Sequence, residues 1–335
     1  MSPPSASGNG SARVAVVGAP TAAGSRLREA LVEHGVPGAQ VDLYGGTRGE
    51  VVISEYDGEA RMIQEPEPAE VARHEVIFIC EESDVTDGIV AAAGPGTFVI
   101  DMLGSLAARV GAPRVHMDIN PDVVPSSGGR CFAVPHPLTL LLAELLHPLD
   151  RELGLAEVIA VVLRPASDFG EQGLEELRDQ TVRLLSFAEV PVRTFGRQLA
   201  FNVIPQTELA AGEPSLEAQI TGEIGELLGW RESHLTVRLL TVPLFHGHGL
   251  QLRFRLERDT TPEEVRGVLE RAGLSDPEAA GRPATPLEVT GQTRTSLSDP
   301  AEDGLGGFWL WVVAGETAAR GAAQAVRLAA YLGRL

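Results

Sequence analysis

The chain has 335 residues, 44% of them hydrophobic and 22% charged, with a net charge of −19 and a pI of about 4.8. These figures suit a soluble globular protein long enough for two domains. A surface this acidic repels phosphodiester backbones and anionic lipid, which argues against nucleic-acid and membrane roles; no apolar run approaches the roughly 20 residues of a membrane span.

The opening MSPPSASGNGSA has Pro, Gly and Ser but no apolar core segment. It reads as a disordered tail over residues 1–11 rather than a signal peptide, and a cytoplasmic location is expected. ARVAVVGAPTAAGSRLREALVEHG then predicts an apolar strand, a small-residue turn and an amphipathic helix. Gly18 and Gly24 flank that turn, where glycine lets a backbone approach a pyrophosphate while the helix N-terminus supplies N–H donors. Thr21 stands where such loops carry a middle glycine, so its Cβ would crowd a phosphate, and Pro20 removes a donor. Two readings stay open here, a dinucleotide loop and a turn kept for packing.

A second strand, QVDLYGG, leads to Thr47 and Arg48 at the ribose-reading position. A cation there suits a 2′-phosphate, hence NADP rather than NAD, the alternative being a solvated loop arginine. The next strand, HEVIFIC, runs into Glu81 and Glu82, which either repel a nearby pyrophosphate or complement the dipole of the following helix. With GTFVIDML as a further strand, the alternation predicts a Rossmann-type doubly wound parallel sheet over residues 12–135. The two cysteines, Cys80 and Cys131, lie in apolar strand-like runs and read as buried inert thiols, with no disulfide framework and no metal site.

CFAVPHPLTLLLAELLHPLD joins a short strand to a leucine-rich helix expected from Leu138. Such a junction aims side chains and free N–H groups at one spot, where an enzyme would put a nucleophile. Its occupants are His136, a poor nucleophile, and Pro137, which is none. LAEVIAVVLRPAS and HLTVRLLTVPLFHGHGLQLRFRLERD predict long strands, with helices over 174–187, 216–228 and 262–272, giving an α+β second domain over 136–315. An Ala-rich final helix within 316–335 is expected to return to the first domain. On one strand His246 and His248 would share a face and, with His136, could converge on zinc, but no acidic or cysteine ligand accompanies them.

VAVVGAPTAAG, TFVID, HMDIN, AVPHPLTLLL, PASDFGEQGLEEL, FNVIPQ, TVPLFHGH, PATP and LWVVAGETAARGAAQAV, in this order, resemble the aspartate-β-semialdehyde dehydrogenases, including a paralogous branch of uncertain activity. The resemblance implies a cysteine thiolate at the start of the helix, a histidine base, NADP as hydride acceptor, and cations for the substrate carboxylate and for phosphate. It puts the base at His248 and the nucleophile at Pro137. The carboxylate-holding arginine falls on Thr241, and the phosphate-side arginine at or near Ala107, with Arg109 displaced. A substrate-binding lysine falls on Gln219 and a substrate-side glutamine on Arg164, while Ser167 and Gly170 match. GETAARG is one residue longer than the family pattern. Neither cysteine replaces the thiolate: Cys131 lies roughly 20 Å away along an extended strand, and Cys80 sits beside carboxylates that raise a thiol's pKa.

Two functions follow as expectations. The first is a catalytically degenerate paralogue that keeps the fold and acts as a binding, scaffolding or regulatory subunit. It would form a homodimer, or a mixed dimer with an active relative, through the sheet of the second domain. The second is an NAD(P)-dependent oxidoreductase of altered chemistry on a semialdehyde or acyl phosphate, with His248 as acid or base.

Overall fold

The computed structural model describes residues 14–45, 52–205, 215–232, 234–274 and 282–335. Thr47 and Arg48 lie outside the described residues. The chain divides into two compact units, Met1–His136 with Gly321–Leu335, and Pro137–Arg320.

The first unit contains β1 (Val14–Val17), α1 (Ala22–Glu33), β2 (Val41–Tyr44), β3 (Val52–Tyr56), β4 (Glu59–Ile63) and α2 (Pro68–Val71). There follow β5 (Val76–Ile79), α3 (Thr86–Ala92), β6 (Phe98–Asp101), α4 (Ser105–Val110), α5 (Val123–Ser127) and β7 (Cys131–Ala133). Five strands form a parallel sheet in the order β2-β1-β5-β6-β7. Every residue of β1 and β5 is buried, as a sheet covered on both faces requires. Because the order reverses between β1 and β5, their carboxyl ends form the switch point where such sheets open a crevice. The Rossmann-type expectation is borne out. A hairpin absent from the sequence-based expectation, β3/β4, turns at Asp57-Gly58, both with positive φ, a pairing that fits a two-residue hairpin turn.

The second unit contains α6 (Pro137–Leu153), β8 (Leu155–Arg164), α7 (Gly170–Leu185), β9 (Ile204–Pro205), α8 (Leu216–Leu228) and β10 (Leu235–Thr241). β11 (His248–Leu256), β12 (Thr295–Leu297), β13 (Ala301–Glu302) and β14 (Phe308–Ala314) complete its sheet, with α9 (Pro262–Arg271) between β11 and β12; most of the final helix, α10 (Ala318–Tyr331), belongs to the first unit. The sheet order is β12-β14-β11-β8-β10-β9, with β13 on β14. α6 packs on α8 and α9, and α8 packs on β10. Along β8, β10 and β11, buried residues alternate with more open ones, so one face is covered and the other carries groups such as Arg238, Gln251 and Arg253.

One expected element divides. The predicted strand over 234–259 becomes β10 and β11, which lie on opposite sides of β8, parallel and antiparallel to it. A single strand cannot occupy both places, and residues 242–247, ending at Gly247 with φ +83, make the crossing. α7 begins at Gly170 rather than 174, since a 3-10 turn over Ala166–Phe169 feeds directly into it. α6 begins at Pro137 itself, the first helical position, where a missing N–H costs no intrahelical bond. No helix among the described residues is long and apolar enough to cross a membrane.

Candidate functional site

At the carboxyl end of β1, Gly18 holds φ +83, and a Cβ there would lie 2.4 Å from the Cβ of Glu81. A Cβ on Gly24 would lie 2.3 Å from the carbonyl oxygen of Gly18. Both glycines are therefore required by the packing of the turn on its own neighbours. Thr21 is the N-cap of α1: its Oγ1 accepts from the Gly24 N–H at 3.1 Å and donates to the Gly18 carbonyl at 2.8 Å. The N–H groups of Gly18 and Ala19 both donate to Tyr44, and that of Thr21 donates to Gly18. Pro20 has none. What remains for an anion is the pair of N–H groups on Ala22 and Ala23 in the first helical turn. The fit of this loop to a dinucleotide pyrophosphate is partial.

The carboxylate of Glu82 accepts from Arg109 at 3.0 Å, and Arg109 also contacts Asp87. The cation nearest the expected phosphate-side position is thus paired with two carboxylates of its own unit. Ala107 carries no charge. Burial pushes the Cys80 thiol far above its ordinary range, and the nearby Asp101 adds to the push. The cause differs from the expected one, because Glu81 and Glu82 point to solvent while Cys80 is sealed beneath them. Cys131, in β7, is half-buried, and burial raises its thiol as well. Neither is a ready thiolate.

In the second unit, strand ends bring three groups together. Arg164 ends β8, His248 begins β11 on its antiparallel neighbour, and Asp168 lies in the 3-10 turn that follows β8. The Nε of Arg164 donates to the Asp168 carboxylate at 2.9 Å. The His248 Nε2 lies 3.0 and 3.1 Å from the two oxygens of that carboxylate. Arg164 also stands over the Phe169 ring, 5.0 Å from its centroid. Burial by itself would raise the Asp168 carboxyl, but the charges and hydrogen bonds of His248 and Arg164 overrule it and hold the group at about 2. Since this carboxylate is ionised and accepts only, the His248 Nε2 carries a proton. The other ring nitrogen, Nδ1, is buried and has no hydrogen-bond partner among the described residues. Thr241, buried, is the register partner of Arg164.

A family profile described as "Semialdehyde dehydrogenase, dimerisation domain" matches residues 146–314. The chain belongs to the aspartate-semialdehyde dehydrogenase family. It is 28% identical to a USG-1 protein homolog of Azotobacter vinelandii, over 95% of this chain and 97% of the relative. Aspartate-semialdehyde dehydrogenase 2 of Vibrio cholerae is 25% identical, over 96% and 97%. The crystal structure of aspartate semialdehyde dehydrogenase II of Vibrio cholerae complexed with ASA superposes with a TM-score of 0.85 at 23% identity, covering 96% of this chain and 99% of that one.

The family positions named from sequence fall as follows. Pro137 is half-buried at the start of α6. Two residues on, Thr139 donates to the buried Glu223 at 2.7 Å across from α6 to α8, and Gln219 donates to the same carboxylate at 2.9 Å within α8, so the Gln219 amide is engaged by its own helix. His246 is exposed and precedes β11; with Gly247 at φ +83 it does not share a strand face with His248, which removes the geometry of the three-imidazole zinc idea. Among the described residues, no group of three or more His, Cys, Asp or Glu could hold a metal ion. Asp168, missed in the sequence reading, stands inside the quoted PASDFG segment. The available signal was a carboxylate four residues after Arg164, which on its own does not reveal that β11 delivers His248 to it.

Proposed function

We propose that this protein is a catalytically degenerate member of the family that serves as a binding, scaffolding or regulatory subunit, as a cytoplasmic homodimer or a mixed dimer with an active relative. The observation that carries this reading is Pro137 at the nucleophile position, an imino acid with neither a thiol nor an N–H. Removing the nucleophile from a cooperating site costs about 10⁶ in turnover in a serine protease. The losses at Thr241, Ala107 and Gln219, and the thiols of Cys80 and Cys131, both raised by burial, support the same conclusion. NADP binding is weakened or lost in this reading, as the committed donors of the Gly18–Gly24 turn favour. The sheet face carrying Gln251, Arg253 and Trp309, within the segment matched to a dimerisation domain, supports pairing of chains.

One observation favours a second reading, an NAD(P)-dependent enzyme of altered chemistry acting on a semialdehyde or acyl phosphate. The imidazole of His248 is held by Asp168 through one nitrogen and leaves Nδ1 unpaired, an arrangement suited to an acid or base. Titration of the purified protein with NADPH, followed by fluorescence, separates the two. The degenerate reading expects no saturable binding at micromolar cofactor, and tight binding with turnover of an aldehyde would overturn it. The Pro137→Cys chain is expected to show no phosphate-dependent reduction of NADP with aspartate semialdehyde, because the cations for both anions are also missing.

A further inference from the structure

Arg164, at the position where the resemblance implies a glutamine, and His248, at the implied base position, each turn a nitrogen to a carboxylate that belongs to the chain itself. They come from different strands, and Asp168 meets them from a short turn anchored by Pro165 and by Gly170 at φ +68. The three side chains are mostly shielded from solvent, at 9%, 3% and 16% exposure for Arg164, His248 and Asp168. A guanidinium and an imidazole placed this way make the donor set for a small carboxylate, and Asp168 supplies that carboxylate internally.

We propose that Asp168 is a built-in ligand: its side chain fills a carboxylate-binding subsite formed by Arg164 and His248, so that an acidic ligand is shut out of this part of the second unit. The Nε2 edge of the His248 ring is the one turned to Asp168, so a carboxylate taking that place would meet the same Nε2 and the Arg164 Nε. This rests on the reading of the unit as a site that has lost its reaction, but it concerns binding alone and is tested without turnover.

The test removes the internal carboxylate and offers external ones. In the full-length Asp168→Ala chain, sodium formate and acetate are expected to raise Tm by several degrees in a saturable way that chloride at equal ionic strength does not reproduce. Wild type and Asp168→Asn, whose side chains still fill the space, are expected to show no such rise. The absence of a carboxylate-specific rise in Asp168→Ala overturns the proposal, as does an equal rise in wild type. Should the alanine chain not fold, Asp168→Ser, which keeps a hydroxyl for the Arg164 Nε, gives the same readout with the same two outcomes. Tight NADPH binding with turnover of an aldehyde by wild type would sink the degenerate reading and leave this result untouched, so the two fail separately.

Discussion

Asp168 remains ionised although burial works against its charge, because a guanidinium and an imidazole face it. Its carboxyl is lowered from 3.8 to about 2, so the stabilisation is fully present above the unfolded value and is lost as pH falls through the folded one. The shift corresponds to about 2 kcal/mol at neutral pH. The stability gap between wild type and Asp168→Asn, measured by urea unfolding, is therefore expected to be constant from pH 7 down to about 5 and to close between about pH 4 and 2. A gap that widens on acidification would contradict the sign. At Gly18 the positive φ and the 2.4 Å approach to Glu81 leave no room for a methyl group. Gly18→Ala is expected to cost more than about 1 kcal/mol, read as a lower urea midpoint, whether or not a nucleotide is present.

The helices differ in what specifies them. α9 has a capping box, Thr261 with Glu264, and its start is readable from TTPEE alone. α7 has no such signal, and its role rests on side chains that serve a distant loop. Glu176 accepts from the backbone N–H groups of Arg193 and Thr194, while Gln180 donates to Pro191 and accepts from Leu199 and Ala200. Glu176→Ala leaves those backbone donors without their acceptor and is expected to destabilise by roughly 2–3 kcal/mol. Faster limited proteolysis between residues 188 and 203, with little change elsewhere, is the measurement that checks it. The hairpin β3/β4 was not legible beforehand because its outward face carries Ile53 and Met62, at 68% and 64% exposure, directly opposite each other. Apolar residues on an open face erase the alternation from which a strand is read.

At the scale of the whole molecule, the net charge of −19 opposes any association of two copies. Self-association measured by sedimentation is expected to tighten as NaCl rises from 20 to about 300 mM, because salt screens that repulsion; weakening over the range would point to an interface held by ion pairs. Much of the architecture was readable in advance. Apolar runs set two-sided burial in β1 and β5, and the order of recognisable segments such as VAVVGAPTAAG, AVPHPLTLLL and TVPLFHGH pointed to the family. These are properties of local pattern, and local pattern is what a linear sequence records. The division of residues 234–259 into strands on either side of β8, the pairing of Arg109 with Glu82 and Asp87, and the meeting of Arg164, Asp168 and His248 were decided by the tertiary structure. Each depends on which strands become neighbours, and that choice is made by burial summed over the whole unit rather than by any residue near the contact.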